Sequence, residues 1–385
     1  MMSLMHAATV GLCMAQAAAP TAPLSKEDAQ REVATLWTAH AEAVRAEREQ
    51  ELKSGAIEVG GVRMPIACTV YPASEGGKAS APPNGRSLWI SMHGGGGAPA
   101  AVNDKQWENQ KRLYQPEEGV YVAPRAPTNE WNLWHLSHID ALFARLIEDM
   151  VIVEGVDPDR VYIMGYSAGG DGVYQLAPRM ADRWAAAAMM AGHPNDAKPD
   201  GLRNIGFTLH MGANDGAYDR NKVASQWKER LAALEAADPK GYKHWAQLHE
   251  GKGHWMDRQD AAAVPWMAKF TRDLRPTKIV WLQDDVVQPR FYWLAVDAPV
   301  AGARIVAERD GQTVRIVEAP PATLIRIRLD DRMLDLDQDV RVVQGDRELF
   351  KGRVARSRDV MARTLAERGD PQGIFAAEVV VQTAP

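Results

Sequence analysis

Val161-Tyr162-Ile163-Met164-Gly165-Tyr166-Ser167-Ala168-Gly169-Gly170 decides the reading of this chain. The first four residues are an apolar, strand-like run, and the residues after Gly170 carry a helical pattern. A serine placed between such a strand and such a helix, with glycine on either side of the turn, is the context of a nucleophile elbow. The requirement is steric. The turn holds the serine in a strained backbone conformation, and only glycines let strand and helix come so close. The elbow also aims a helix N-terminus, and the N–H of Ala168, at any oxyanion formed beside Ser167.

Working outward, Leu88 to Met92 is another apolar run, and it ends in His93-Gly94-Gly95-Gly96-Gly97. A His-Gly-Gly-Gly turn in this position can supply a second oxyanion donor from a backbone N–H, with Gly95 the first choice and Gly94 the second. Downstream, Phe207 to Met211 leads into Gly212-Ala213-Asn214-Asp215, and Tyr242 to Leu248 leads into Gly251-Lys252-Gly253-His254-Trp255. The order serine, acid, histidine assigns His254 as the base and Asp215 as the acid that orients it. Asp219 and Asp196 are rival acids. His93, His193, His210 and His249 read as structural, His93 as a brace of the glycine loop.

The segments from Ile57 to Arg275 alternate strand and helix signals. Strand-like runs fall at Ser87–Met92, Gly119–Ala123, Val161–Gly165, Ala185–Ala191, Phe207–Met211 and His244–Leu248. Longer helical patterns lie between several of them. The expectation is an α/β fold, a mainly parallel sheet flanked by helices, with ligands at the carboxyl ends of its strands. After Pro276 the texture changes to closely spaced strands. Residues 276–385 are therefore expected to form a small β-sandwich-like accessory domain of antiparallel strands, interrupted by a helix at Ser357 to Arg368. Residues 21–56 read as a polar N-terminal helix, with Ser25 and Asp28 as a capping pair. Residues 1–20, small and apolar with no acidic side chain, read as an export signal, which places the mature chain in the periplasm or outside the cell.

Composition narrows the function classes. The 385 residues carry a formal net charge of −5, with 46% hydrophobic and 25% charged residues. Such a chain presents no basic footprint for nucleic acid. After residue 20 no apolar run approaches the roughly 20 residues needed to span a membrane. The only cysteines are Cys13 and Cys68, and removal of the leader would leave Cys68 alone. No His-Glu-x-x-His, His-x-x-x-His or cysteine cluster suggests a metal, and the glycine run does not fit a dinucleotide fingerprint.

Together, His93 to Gly97, Gly165 to Gly170, Gly212 to Asp215 and Gly253 to Trp255 resemble the α/β-hydrolase superfamily over roughly Val62 to Arg275. The run Tyr162 to Gly170 is similar to the polyhydroxybutyrate depolymerase and feruloyl-esterase-like branch, and to predicted peptidases related to dienelactone hydrolase. The resemblance implies a Ser-His-Asp acyl-enzyme mechanism, no cofactor, and a small-molecule or polymer carboxylic ester as substrate. Tyr166, Trp131, Trp134 and Trp255 are expected to border the substrate cleft, although aromatic residues so placed also serve as ordinary packing. A peptidase or amidase with the same triad, and a non-catalytic binding protein working through its β-rich part, are the alternatives.

Overall fold

The computed structural model describes residues 23–72 and 82–385; the expected export segment, residues 1–20, lies outside them. The chain opens with α1 (Lys26–Lys53), whose first turn is capped by Ser25 Oγ accepting the Asp28 N–H at 3.1 Å. There follow β1 (Ala56–Val59), β2 (Val62–Tyr71), β3 (Arg86–Met92), α2 (Ala100–Gln110), β4 (Gly119–Pro124) and α3 (Ser137–Val153). Next come β5 (Val156–Tyr166), α4 (Ala168–Arg179), β6 (Ala186–Met190), β7 (Gly206–Gly212), α5 (Arg220–Ala237), β8 (His244–His249) and α6 (Ala263–Met267). The strands form one eight-stranded sheet in the order β1-β2-β4-β3-β5-β6-β7-β8. From β4 to β8 every pairing is parallel, while β2 runs antiparallel to β4 and β1 antiparallel to β2.

The central strands β3, β4, β5, β6 and β7 are buried on both faces, as parallel strands between helical layers must be. Alternation along the strands sorts the side chains into two cores. Leu88, Ile90, Val161 and Ile163 pack on one face. Trp89, Tyr162 and Met164 pack on the other, with Trp89 and Tyr162 stacked at 4.2 Å between ring centroids. Strands β1 and β2 and helix α2 carry no pattern that sequence reading isolates. Strand β2 holds polar residues at an outer position of the sheet, and α2 is short with few apolar side chains.

Helix α1 lies against α3 through charged groups as well as apolar ones. Arg48 reaches Glu148 and Asp149, each at 3.2 Å, and Arg45 donates to the Ile152 carbonyl at 2.7 Å. Asp149 is fully buried. Burial, and then the neighbouring Glu51 carboxylate, push its carboxyl up to about 9. An unfolded aspartate releases its proton near pH 4. The raised folded value therefore means that the stability this one group contributes is fully present below that pH and is lost as pH rises toward 9. Asp149→Asn, which keeps the shape without the titration, should raise Tm at pH 8 and leave it unchanged near pH 4. A lower Tm at pH 8 would mark Asp149 as an ion-paired carboxylate instead.

Residues after Pro276 build two further sheets and one helix, α7 (Arg358–Arg368), which packs on α1 and on the strand at Ala377–Gln382. One contains β9 (Lys278–Leu282), β12 (Arg304–Asp310), β13 (Thr313–Glu318), β15 (Val340–Gln344) and β16 (Arg347–Gly352). The other contains β10 (Arg290–Phe291), β11 (Leu294–Val296), β14 (Leu324–Leu329) and β17 (Ala377–Gln382). The pairings are antiparallel except one, since β13 and β15 run parallel. That exception arises because β14 and the turn after it intervene and return the chain in the same direction. The apolar interior is continuous with that of the large sheet, through residues such as Leu202, Trp281 and Phe291. Buried ion pairs cross the same junction: Arg272 meets Asp370 at 2.7 Å and Asp159 at 2.9 Å, and Arg368 pairs with Asp182. No helix among the described residues is long and apolar enough to cross a membrane.

Candidate active site

Strand β5 ends at Tyr166 and α4 begins at Ala168, which leaves Ser167 alone at the turn with φ 57° and ψ −122°. This positive φ is a costly conformation for a residue with a Cβ, and its surroundings hold it there. The Ser167 N–H donates to the Met190 carbonyl at 2.9 Å, and the Ser167 carbonyl accepts from Asp171 N at 3.0 Å. The flanking glycines are required by contact. A Cβ on Gly165 would lie 2.2 Å from the Gly169 carbonyl oxygen, and one on Gly169 would lie 2.2 Å from that of Met92.

The neighbouring parallel strands β7 and β8 bring their following loops to the same edge of the sheet. His254 Nε2 lies 3.0 Å from Ser167 Oγ, and His254 Nδ1 lies 2.7 Å from Asp215 Oδ2. Asp215 is buried, and its backbone is held by Asp215 N donating to Gly212 O and Asn221 N donating to Asp215 O, both at 3.0 Å. The two loops touch. Asn214 N donates to Lys252 O at 2.8 Å, and a Cβ on Gly212 would stand 2.0 Å from the Gly253 oxygen. A parallel sheet with an antiparallel second strand, a serine elbow after β5, and an acid and a histidine after β7 and β8 now stand together. The fold is the α/β-hydrolase fold.

No protein-family model matches the chain. A curated protein named "Putative esterase NocK", from Nocardia uniformis subsp. tsuyamanensis, is 30% identical over 133 residues, which cover 32% of this chain and 39% of that protein. The chain thus spans well under half the length of that relative. Among solved structures, a thermostable esterase has a TM-score of 0.42 at 18% identity, over 56% of this chain and 62% of that one. A ferulic acid esterase has a TM-score of 0.40 at 17% identity, over 55% and 94%. A carboxylesterase from Mesorhizobium loti has a TM-score of 0.36 at 18% identity, over 56% and 99%.

The glycine loop after β3 sits against the elbow. The Cβ position of Gly94 is 3.0 Å from Ser167 Cβ. Gly95, Gly96 and Gly97 have φ of 108°, 80° and 56°, a path that glycine alone follows without strain. Asn103 of α2, a residue that no sequence motif marks, staples this loop. Its Oδ1 accepts the Gly96 N–H at 2.8 Å, while its Nδ2 donates to Ala98 O at 3.0 Å and Asn129 Oδ1 at 2.9 Å. Among the described residues the N–H groups of Gly95 and Ala168 donate to no protein acceptor, so both are open to a ligand. His93 braces the loop from below. Its Nε2 accepts from Ala126 N at 3.1 Å, so Nδ1 carries the hydrogen and donates to the Gly94 carbonyl at 2.6 Å. Burial lowers its pKa to about 4, which keeps the ring in this neutral form.

Ser167 lies between two clefts, of about 630 and 580 Å³. Tyr166 and Trp255 line the first, and Trp131, which is 60% exposed, lines the second. Trp134 is a correction to the sequence reading. It is fully buried, packs edge-on against His93 and donates Nε1–H to the His93 carbonyl at 3.0 Å, so it supports the glycine loop from the core and does not face substrate. The rival acids are engaged elsewhere, Asp219 with Lys222 at 2.7 Å and Asp196 with Gln175 at 3.2 Å. Buried His210 and His249 join a hydrogen-bonded chain that runs from buried Thr208 out to exposed Gln259. Among the described residues no cluster of His, Cys, Asp and Glu is placed to hold a metal.

Tyr166 does more than line a wall. Its hydroxyl donates to the His254 carbonyl at 2.5 Å and accepts from Met256 N at 3.2 Å, so it ties the histidine loop to the elbow. The His254 side chain is 43% exposed and meets the Tyr166 ring edge-on at 5.9 Å between centroids, so its place depends on the loop that carries it. Tyr166→Phe, which removes only the hydroxyl, should therefore lower kcat about tenfold through misplacement of the imidazole, with KM within twofold. Steady-state kinetics on an aryl ester would show this. An unchanged kcat would mean that the loop holds its position without the hydroxyl.

Proposed function

We propose that this protein is a serine hydrolase that cleaves carboxylic esters through an acyl-enzyme on Ser167. The observation that carries the reading is the single imidazole of His254, placed between the Ser167 hydroxyl and the buried Asp215 carboxylate. In this arrangement Nδ1–H donates to Asp215, which leaves the Nε2 lone pair directed at Ser167 Oγ. As Oγ attacks the ester carbonyl, Nε2 takes its proton, and Asp215 stabilises the resulting imidazolium. The oxyanion forms where the unpartnered N–H groups of Ala168 and Gly95 are available, with Gly94 beside them. His254 then returns the proton to the leaving alcohol. A water molecule, deprotonated by the same nitrogen, releases the acid and restores Ser167.

The names of similar proteins agree with ester cleavage: the curated relative and the solved structures reported above are all described as esterases. The same triad could protonate a leaving amine, so amides are the competing substrates. Parallel assays with an aryl acetate and a peptide anilide separate the two. The proposal expects turnover of the acetate to exceed that of the anilide. Turnover of the anilide alone would overturn the ester reading.

A further inference from the structure

The two clefts that meet at Ser167 differ in charge. Apart from His254 and the neutral phenol of Tyr166, the ionisable side chains that line the first cleft among the described residues are Arg112 and Arg258. Arg112 stands just past the end of α2, and Arg258 lies on the loop that carries His254, so the two approach the cleft from different elements. Both are exposed, and neither guanidinium has an ion-pair or side-chain hydrogen-bond partner among the described residues. The buried Asp260 carboxylate feels the charge of Arg258 but is bound by the Tyr114 hydroxyl and makes no ion pair with it, and two exposed acids nearby are engaged elsewhere. Glu108, on the same helix as the approach to Arg112, is held by Lys111 at 2.5 Å, and Asp257, next to Arg258, is held by Lys252 at 2.7 Å. The second cleft, in contrast, carries the carboxylates of Asp171 and Asp219 together with Arg220.

In a chain with a formal net charge of −5, a reaction cleft that holds two uncommitted guanidinium groups and no acid is a local reversal of sign. Guanidinium is the side chain best matched to a planar oxyanion, because its fork of N–H donors meets a carboxylate in a bidentate fashion. Water-filled clefts of one sign also concentrate ligands of the other. Gln106 and Asn109 add neutral polar groups to the same wall, and Tyr166 and Trp255 give it an apolar side. A cleft of about 630 Å³ is large enough for a drug-sized ligand.

We propose that the ester this protein cleaves carries a carboxylate on one of its two halves, and that this half occupies the first cleft with its carboxylate between Arg112 and Arg258. The assignment rests on the serine-hydrolase reading above. The second cleft, where Asp171 and Arg220 oppose each other in charge and Asp219 is paired with Lys222, then receives the other, uncharged half, so the placement of the two arginines sets the direction in which the ester lies across Ser167.

Two matched pairs of esters test this with the full chain. In one pair the acyl half differs, 4-nitrophenyl hexanoate against the monoanionic 4-nitrophenyl adipate. In the other the alcohol half differs, the methyl ester of 4-acetoxybenzoate against free 4-acetoxybenzoate. The readout is the ratio of kcat/KM for the charged ester to that for its neutral partner. In one of the pairs that ratio should favour the charged ester by about tenfold, equivalent to about 1.4 kcal/mol. It should fall by a similar factor in the double variant Arg112→Gln, Arg258→Gln, recover substantially in Arg112→Lys, Arg258→Lys, and fall at high salt. A ratio that the glutamine substitutions leave unchanged, or that favours the neutral ester in both pairs, overturns the carboxylate assignment while ester hydrolysis stands. Absence of turnover with all four esters would instead remove the hydrolase reading, and this proposal with it.

Discussion

Ser167→Ala is expected to lower kcat for an ester by roughly a million-fold, the scale on which serine triads collapse when the nucleophile is lost. The substitution removes one oxygen atom. It leaves the backbone of the elbow, because the turn is held by the Ser167 N–H to Met190 and by the Ser167 carbonyl to Asp171, and not by the side chain. The side chain makes no capping bond to α4. The folded state should therefore survive, and the thermal transition should move by only a few degrees. Loss of activity with the fold retained is the signature of a nucleophile. Residual hydrolysis within tenfold of the parent would mean that another group attacks the ester.

Asp215→Asn should lower kcat about ten-thousand-fold, for a different reason. Asparagine has almost the same shape as aspartate, so the loop between β7 and α5 is kept. Its amide nevertheless presents an N–H where His254 Nδ1 now finds a carboxylate oxygen at 2.7 Å. The ring then accepts at Nδ1 and carries its hydrogen on Nε2, the nitrogen that must take the proton of Ser167. Asp219→Asn is the natural control. Asp219 is exposed and bound to Lys222, so its loss should change kcat by less than about twofold. If Asp219→Asn were the damaging change, the acid would be misassigned.

How far the sequence discloses such a site depends on what each part of it requires. The elbow was legible because steric closeness between β5 and α4 admits only glycine at 165 and 169, and that constraint is written directly in the residues. Asp215 and His254 were legible as positions because a parallel sheet puts the loops that follow its strands on one edge. The sequence expectation of a mainly parallel sheet flanked by helices, with strand-rich residues after it, matches the architecture. Contacts made through tertiary packing were not legible. Trp134 looked like a cleft residue because it lies in a loop rich in aromatic side chains, yet the core beneath the glycine loop takes it entirely. Asn103 belongs to a short polar helix with no motif, and its role in stapling the loop depends on the folded path of residues 94–98. Tyr166 was identified from its place beside the serine, but its hydroxyl bond to the His254 carbonyl joins residues 88 positions apart. The parallel pairing of β13 with β15 likewise follows from the return path of the chain, which alternation of polar and apolar residues does not encode.

The central claim is that Ser167 is an activated nucleophile, and a fluorophosphonate tests it most directly. Incubation with such a reagent, followed by intact-mass measurement and peptide mapping, should yield one adduct per chain, located on Ser167. The adduct should be absent from Ser167→Ala and should form far more slowly in His254→Ala. A chain that stays unlabelled, or that carries its adduct on another residue, would contradict the account.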